Sequence, residues 1–199
     1  ADPLEVLRTL RRLLPDDAVV ATDVGQHQMW TAQHFEFRQP RTLLTSGGLG
    51  TMGYGLGAAI GAQAAFPDRR VVLVSGDGSF HMNLNELTTL ASYDLPIVVV
   101  VMNNRVLGMV RQWQKVFYGR RFSATDPHRK TDLVKLAEAF GCTGMRIART
   151  GDIEPVLRAA LAAGGPVVVD CQISPDANVL PMIPPGGTVE NILLAMDED

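Results

Sequence analysis

Two short polar clusters supply hard oxygen donors. Asp77, within Ser75-Gly76-Asp77-Gly78-Ser79, offers a carboxylate, and Asn104, in Asn103-Asn104, offers an amide oxygen 27 positions later. Such oxygens suit Mg²⁺ or Ca²⁺ better than zinc. Mg²⁺ commonly takes one or two carboxylates together with substrate phosphates and water. Gly76 and Gly78 permit tight backbone geometry. Gly78-Ser79 falls where a helix would begin, so exposed N–H groups there favour an anion. A metal and a phosphate sharing one site is the reading these residues suggest together. Taken singly, Asp-Gly is also a common turn and Asn-Asn a common strand end.

The flanking pattern says how the clusters are held. Val71–Val74 and Ile97–Met102 are apolar, β-branched runs bounded on both sides, as expected of parallel strands buried on both faces. Leu84, Leu87, Leu90 and Ala91 lie between them at helical spacing. A right-handed crossover brings both strand ends to one edge of the sheet, where open α/β sheets bind ligands.

The remaining elements follow in order. Leu4, Leu7, Leu10 and Leu14 give an amphipathic first helix, and Ala18–Thr22 a first strand closing at Asp23-Val24-Gly25. Gln26-His27 begins a helix through Trp30, where the pair either reaches a phosphate or simply starts the helix. Thr45–Gly55 is glycine-dense and precedes a helix over Leu56–Phe66. Its spacing fits neither nucleotide-binding glycine fingerprint. It marks either close backbone approach to a ligand or a tight helix–sheet contact. Val106, Met109, Val110, Trp113 and Val116 form an apolar stripe that on its own terms is core. A polar loop spans 122–130. A helix through Leu133 and Phe140, a strand over Gly141–Ile147, a helix over Ile153–Ala163 and a strand over Pro166–Gln172 complete the pattern. The expected fold class is α/β: a three-layer α/β/α sandwich on a mostly parallel sheet of five or six strands.

Composition sets bounds of its own. A chain of 199 residues suits one domain, with 46% hydrophobic residues and 20% charged, enough to bury a core. Net charge −3 gives no electrostatic case for nucleic acid. The basic residues Arg111, Lys115, Arg120 and Arg121 suit a solvated face. Two cysteines, Cys142 and Cys171, make no disulfide framework and suit buried thiols in a reducing, cytoplasmic setting. No apolar run has the length of a membrane span, and the acidic start does not resemble a signal peptide.

Gly76-Asp77-Gly78, followed at the stated spacing by Asn103-Asn104, resembles the thiamine-diphosphate-binding motif. Ser79-Phe80-x-Met82-Asn83 and Leu107-Gly108-Met109-Val110-x-Gln112-Trp113 are similar to the catalytic subunits of the acetolactate synthase family, and so is the tail Asn178–Gly187. The resemblance implies the thiamine-diphosphate-binding fold. It implies a metal site of Asp77, Asn104 and the backbone carbonyl of Val106, holding Mg²⁺ against the diphosphate. It places Gly25, Gln26, His27, Gly76, Gly78 and Ser79 around the diphosphate and Gly50 against the aminopyrimidine. Met52 becomes the apolar wedge under the cofactor, and Met109 and Trp113 face the substrate pocket. Two positions depart from the family pattern: Gly57 replaces a usual proline, and His81 a usual glutamine.

The implied activity is decarboxylation of pyruvate and transfer of the remaining two-carbon unit to a second 2-oxo acid, in branched-chain amino acid biosynthesis. Residues 1–199 then form a single diphosphate-binding C-terminal domain of a larger enzyme, with 174–199 as its tail. The glutamate that activates the cofactor's aminopyrimidine is expected on a pyrimidine-binding domain of a partner subunit in a homo-oligomer. The glutamates here, at 5, 36, 86, 138, 154, 190 and 198, lie in none of the matching motifs, so this chain alone is expected to be inactive. FAD in the full enzyme and a regulatory subunit stay open, as does the choice between excised domain and separate subunit. The alternatives are another thiamine-diphosphate carboligase, a 2-oxo acid decarboxylase, or a non-catalytic binding or assembly module of the same fold.

Overall fold

Runs of valine become strands because a branched Cβ fits a pleated surface covered on both sides. The computed structural model describes residues 1–195. In chain order its elements are α1 (Pro3–Leu13), β1 (Val19–Thr22), α2 (Gln26–His34), β2 (Leu43–Leu44), α3 (Tyr54–Ala65), β3 (Val71–Gly76), α4 (Asp77–Asn83), α5 (Leu87–Ser92), β4 (Val98–Asn103), α6 (Gly108–Phe117), α7 (Leu133–Ala139), β5 (Thr143–Ile147), α8 (Ile153–Ala162) and β6 (Val167–Gln172). The six strands form one sheet in the order β2-β1-β3-β4-β6-β5, and every pairing is parallel. The expected sandwich is present, and its sheet is wholly parallel among the described residues.

Period-two alternation splits the core in two. Val20, Val72, Val74, Val98, Val100, Val167 and Val169 face one side, with Leu7 and Leu10 of α1, Trp30 of α2 and Leu157 of α8. Val19, Leu73, Val99, Val101 and Val168 face the other, with Leu56 of α3, Phe80 of α4, Leu90 of α5 and Leu133 of α7. Each fully buried valine contributes roughly 1.5–3 kcal/mol. Among the described residues no helix is long and apolar enough to cross a membrane.

Three details differ from the sequence reading. The segment between β3 and β4 is two helices separated by a 3₁₀ turn at Leu84–Glu86. Asn83 leaves helical geometry at φ −143° and its Nδ2 donates to the Gly53 carbonyl at 3.2 Å, so a tertiary bond breaks the helix. The two-residue edge strand β2 has too little sequence to show a period. The tail, whose prolines alone suggest an extended surface segment, is docked: Val179 is fully buried and Met182 nearly so. Trp30 Nε1 donates to Asn178 O at 3.2 Å and Gln33 Nε2 to Pro181 O at 2.9 Å, which fixes the tail to α2.

The chain moves outward from β1 to β2, then returns to place β3 on β1's other side. That reversal opens a crevice at the carboxyl ends of β1 and β3, the usual ligand position in such sheets.

Candidate functional site

Asp77 stands where β3 passes into α4, with its side chain 5% exposed. Burial pushes its carboxyl above the ordinary value, and the Arg129 guanidinium, with Nη1 2.7 Å from Oδ2, partly offsets that. His81, one turn on, lies with Nδ1 2.6 Å from the Asp77 carbonyl and Nε2 3.0 Å from Thr131 Oγ1. It therefore ties α4 to the loop that carries Arg129. Ser79 donates its hydroxyl to the Val24 carbonyl, joining the β3 and β1 turns.

Asn104 follows the last residue of β4. Its Nδ2 donates to Gln26 Oε1 at 3.2 Å, and its Oδ1 accepts from Val106 N–H at 3.1 Å. Gln26 Nε2 donates in turn to Ala177 O at 2.8 Å and to Gln112 Oε1 at 2.9 Å. Gln112 Nε2 donates to Val179 O at 2.9 Å, while its Oε1 accepts from Val179 N at 2.8 Å. A carbonyl only accepts and a backbone N–H only donates, so both ends of this relay dictate the same amide orientations. Gly108 is necessary to it: a Cβ there would fall 2.0 Å from Gln26 Oε1 and 2.6 Å from Asn104 Nδ2. Behind the corner, Asn103 Nδ2 donates to the buried Asp170 at 2.8 Å, which also accepts from Arg146 Nε at 3.0 Å.

The third wall is the glycine-dense loop. Asp23, buried at the end of β1, accepts from Gly53 N at 2.7 Å, Val24 N at 3.0 Å and Ser75 Oγ at 3.2 Å. Burial raises its carboxyl above the ordinary value, and those donors pull it back. Gly53 takes φ 93°, a left-handed geometry that glycine adopts without strain, and turns the chain into α3. Gly55 lets α3 lie against the sheet, since a Cβ there would sit 2.6 Å from Leu73 Cδ1 and 2.9 Å from the Asp23 nitrogen. The loop makes a tight helix–sheet contact at Gly55, and its Gly50 and Met52 line a cavity. Gly57 is exposed with nothing near its missing Cβ, so the departure from proline disturbs no contact.

His27 lies under the β3 turn. The backbone presses so close to its ring that a Cβ on Gly76 would be 2.6 Å from Nδ1. Burial drives its pKa down to about 3, against a smaller upward pull from the Asp23 backbone. Its Nε2 is buried and has no hydrogen-bond partner.

These walls enclose a cavity of about 280 Å³. Gly25, Gln26, His27, Gly50, Met52, Gly76, Asp77, Gly78, Ser79, Asn104, Val106 and Met109 all line it. Trp113 does not. It lines an adjoining cavity of about 410 Å³ with Gln114, Tyr118 and Arg121, and Met109 and Val110 form the wall between the two. Trp113 is 37% exposed and meets Phe117 edge-on at 5.6 Å, so it is not the core residue that its spacing alone suggests. Gln26 lines the cavity, and its amide is hydrogen-bonded to Asn104, Gln112 and Ala177. Among the described residues no glutamate lines the cavity; Glu198 lies outside them.

Residues 23–171 match the family described as "Thiamine pyrophosphate enzyme, C-terminal TPP binding domain". The chain belongs to that family. The domain is 50% identical over 185 residues to the acetolactate synthase large subunit of Parasynechococcus marenigrum, covering 92% of this chain and 30% of the relative. It is 46% identical over 188 residues to the isozyme 2 large subunit of Escherichia coli, covering 94% and 34%. It is 45% identical over 192 residues to the probable acetolactate synthase large subunit of Methanocaldococcus jannaschii, covering 96% and 32%. The chain thus spans about a third of the length of these relatives.

The residues present suit thiamine diphosphate with a divalent cation. His27 Nε2 is an orphaned polar atom on the cavity wall. Asp77 already holds one cationic group, the Arg129 guanidinium. Asp77, Asn104 and the Val106 carbonyl are hard oxygen donors of the kind Mg²⁺ takes. Among the described residues no three His, Cys, Asp or Glu side chains cluster as a metal site. The set inferred here contains one such side chain and lies outside that pattern.

Sequence reasoning passed over four residues of this site. Asp23 appeared only as a strand end and Gln112 only as part of a matching motif. His81 was marked as a departure without a role. Arg129 carried no signal, being one charge in a polar loop.

Proposed function

We propose that this domain binds thiamine diphosphate through Mg²⁺ and serves as the C-terminal domain of an acetolactate synthase large subunit. The observation that carries the reading is the convergence of Asp77, Asn104, the unpartnered His27 Nε2 and the Gly50–Met52 loop on one cavity at the sheet's switch point. When bound, thiamine diphosphate supplies the thiazolium carbon on which pyruvate is decarboxylated and joined to a second 2-oxo acid. The residues of this chain bind and position. Asp77, Asn104 and the Val106 carbonyl would hold the metal, with Gln26 and Gln112 fixing which atom of Asn104 faces it. Gly25, His27, Gly76, Gly78 and Ser79 would surround the diphosphate. The Gly50 carbonyl would take the aminopyrimidine, and Met52 would support the rings from below. Met109 stands between this cavity and the one lined by Trp113, which supports a second 2-oxo acid approaching from that side.

Among the described residues no glutamate lines the cavity, which supports a division of labour. The activating acid would come from a pyrimidine-binding domain, supplied by a partner subunit of a homo-oligomer. FAD and a regulatory subunit, if used, would likewise lie with other parts of the assembly. Cys142 and Cys171 are buried free thiols, in keeping with a reducing cytoplasmic compartment. The test is acetolactate formation from pyruvate by the full-length protein containing this chain. Turnover that depends on thiamine diphosphate and is lost in Asp77→Ala is expected. Turnover of another 2-oxo acid without acetolactate would move the domain to a related decarboxylase or carboligase.

A further inference from the structure

The loop between α6 and α7 brings a cation to Asp77, which lines the cavity. Arg129 Nη1 lies 2.7 Å from Asp77 Oδ2, with the two side chains 20% and 5% exposed. Its Nη2 lies 3.6 Å from where a Cβ on Gly78 would stand, so the guanidinium sits against Gly78 as well as Asp77, two residues of the cavity wall. The loop is fastened on both sides of Arg129. Leu107 N–H donates to Thr125 O at 2.8 Å, next to the residue whose carbonyl is assigned to the metal. Thr131 Oγ1 meets His81 at 3.0 Å, and His81 also holds the Asp77 carbonyl.

We propose that Arg129 is the resident counter-cation of this site: it holds the place on Asp77 that the divalent cation takes, so metal binding is an exchange that expels the guanidinium. The inference rests on the reading of Asp77 as a metal ligand. Two positive charges within about 4 Å on one poorly solvated carboxylate repel strongly. A guanidinium cannot escape by losing a proton. It can leave by swinging, because Asp126, Pro127 and His128 beside it are exposed. A buried carboxylate without a partner is costly, so Arg129 keeps the site formed until metal arrives. The same contact makes metal binding weaker than the donor set alone would give.

The test is a titration of the chain with Mn²⁺ in the presence of thiamine diphosphate, with free Mn²⁺ counted by electron paramagnetic resonance. Arg129→Gln should bind Mn²⁺ roughly tenfold more tightly than the wild type, the scale of one charge-assisted contact removed. Arg129→Lys, which keeps the charge, should stay within about threefold of the wild type, the context-dependent spread of one such contact. Circular dichroism checks that each variant is folded. In ¹⁵N-arginine spectra of the wild type, Mg²⁺ with thiamine diphosphate should move the Arg129 Nε–H resonance towards that of a solvated side chain. Equal Mn²⁺ affinity in Arg129→Gln, with binding lost in Asp77→Asn, would overturn the exchange and leave the metal site standing. Weaker affinity in Arg129→Gln would overturn it too and make Arg129 a clamp on the diphosphate. Absence of Mn²⁺ binding in every chain would remove the metal site and this inference together.

Discussion

His27 makes a sharp prediction about acid stability. Its ring is enclosed by the Gly25 and Gly76 backbone, and burial lowers its pKa to about 3. A histidine depressed in this way is neutral when folded, whereas the unfolded chain takes up a proton below about pH 6.5. The stability it contributes is therefore complete above pH 6.5 and is lost as pH falls from there towards 3. At pH 5 the unfolded state gains about 2 kcal/mol from this one proton. For a domain of this size that is a drop of about 4–8 °C in melting temperature. Asp23 and Asp77 act in the opposite sense. Burial raises both, so their folded forms hold protons more tightly than the unfolded chain and gain stability as pH falls. They are common to wild type and His27→Gln, as are the other histidines, and cancel in the difference. Thermal melts of both chains at pH 7 and pH 5 are the assay. The wild type should lose about 2 kcal/mol more than His27→Gln over that interval. Equal losses would mean that His27 is solvated and that the enclosure described here is wrong.

Other outcomes follow from the same geometry. Gly108→Ala should cost about 1–3 kcal/mol in denaturant unfolding and weaken thiamine diphosphate binding, because its Cβ collides with Gln26 Oε1. Gly57→Ala, which meets nothing, should instead stabilise by about 0.5–1 kcal/mol and leave binding unchanged. In the assembled enzyme, Trp113→Leu should keep pyruvate decarboxylation but change the product ratio when pyruvate and 2-oxobutyrate compete, by about 1–3 kcal/mol of discrimination. An unaltered ratio would separate the second cavity from substrate choice. The pure chain alone, given thiamine diphosphate and Mg²⁺, should make no acetolactate at a useful rate. Turnover near one per second, within the ordinary enzyme range, would show that it contains its own activating acid.

Much of this was legible because local and global signals agree. The runs at 71–74 and 97–102 have the pattern of doubly buried strands, and together they end in an acidic and an amide turn joined by one crossover. What stayed hidden depends on contacts between distant segments. The break after α4 comes from Asn83 reaching Gly53, thirty residues away. Gln26 could be placed at the site, but its service to Asn104 requires Gln112 and Ala177, far along the chain. The buried tail depends on the same Gln112, whose two bonds to Val179 satisfy backbone that the prolines keep from forming helix. Arg129 is one cation among several in its region, and nothing in its neighbours announces a partner at Asp77.

The central claim is that Asp77 binds the cofactor through a metal. Calorimetric titration of thiamine diphosphate into the chain, with Mg²⁺ or with chelator, and into Asp77→Asn, tests it most directly. Binding should require Mg²⁺ and should vanish in Asp77→Asn. At about 100 times the dissociation constant, the complex should stabilise the wild type by about 2.7 kcal/mol. Equal affinity in chelator, or in Asp77→Asn, would contradict the assignment.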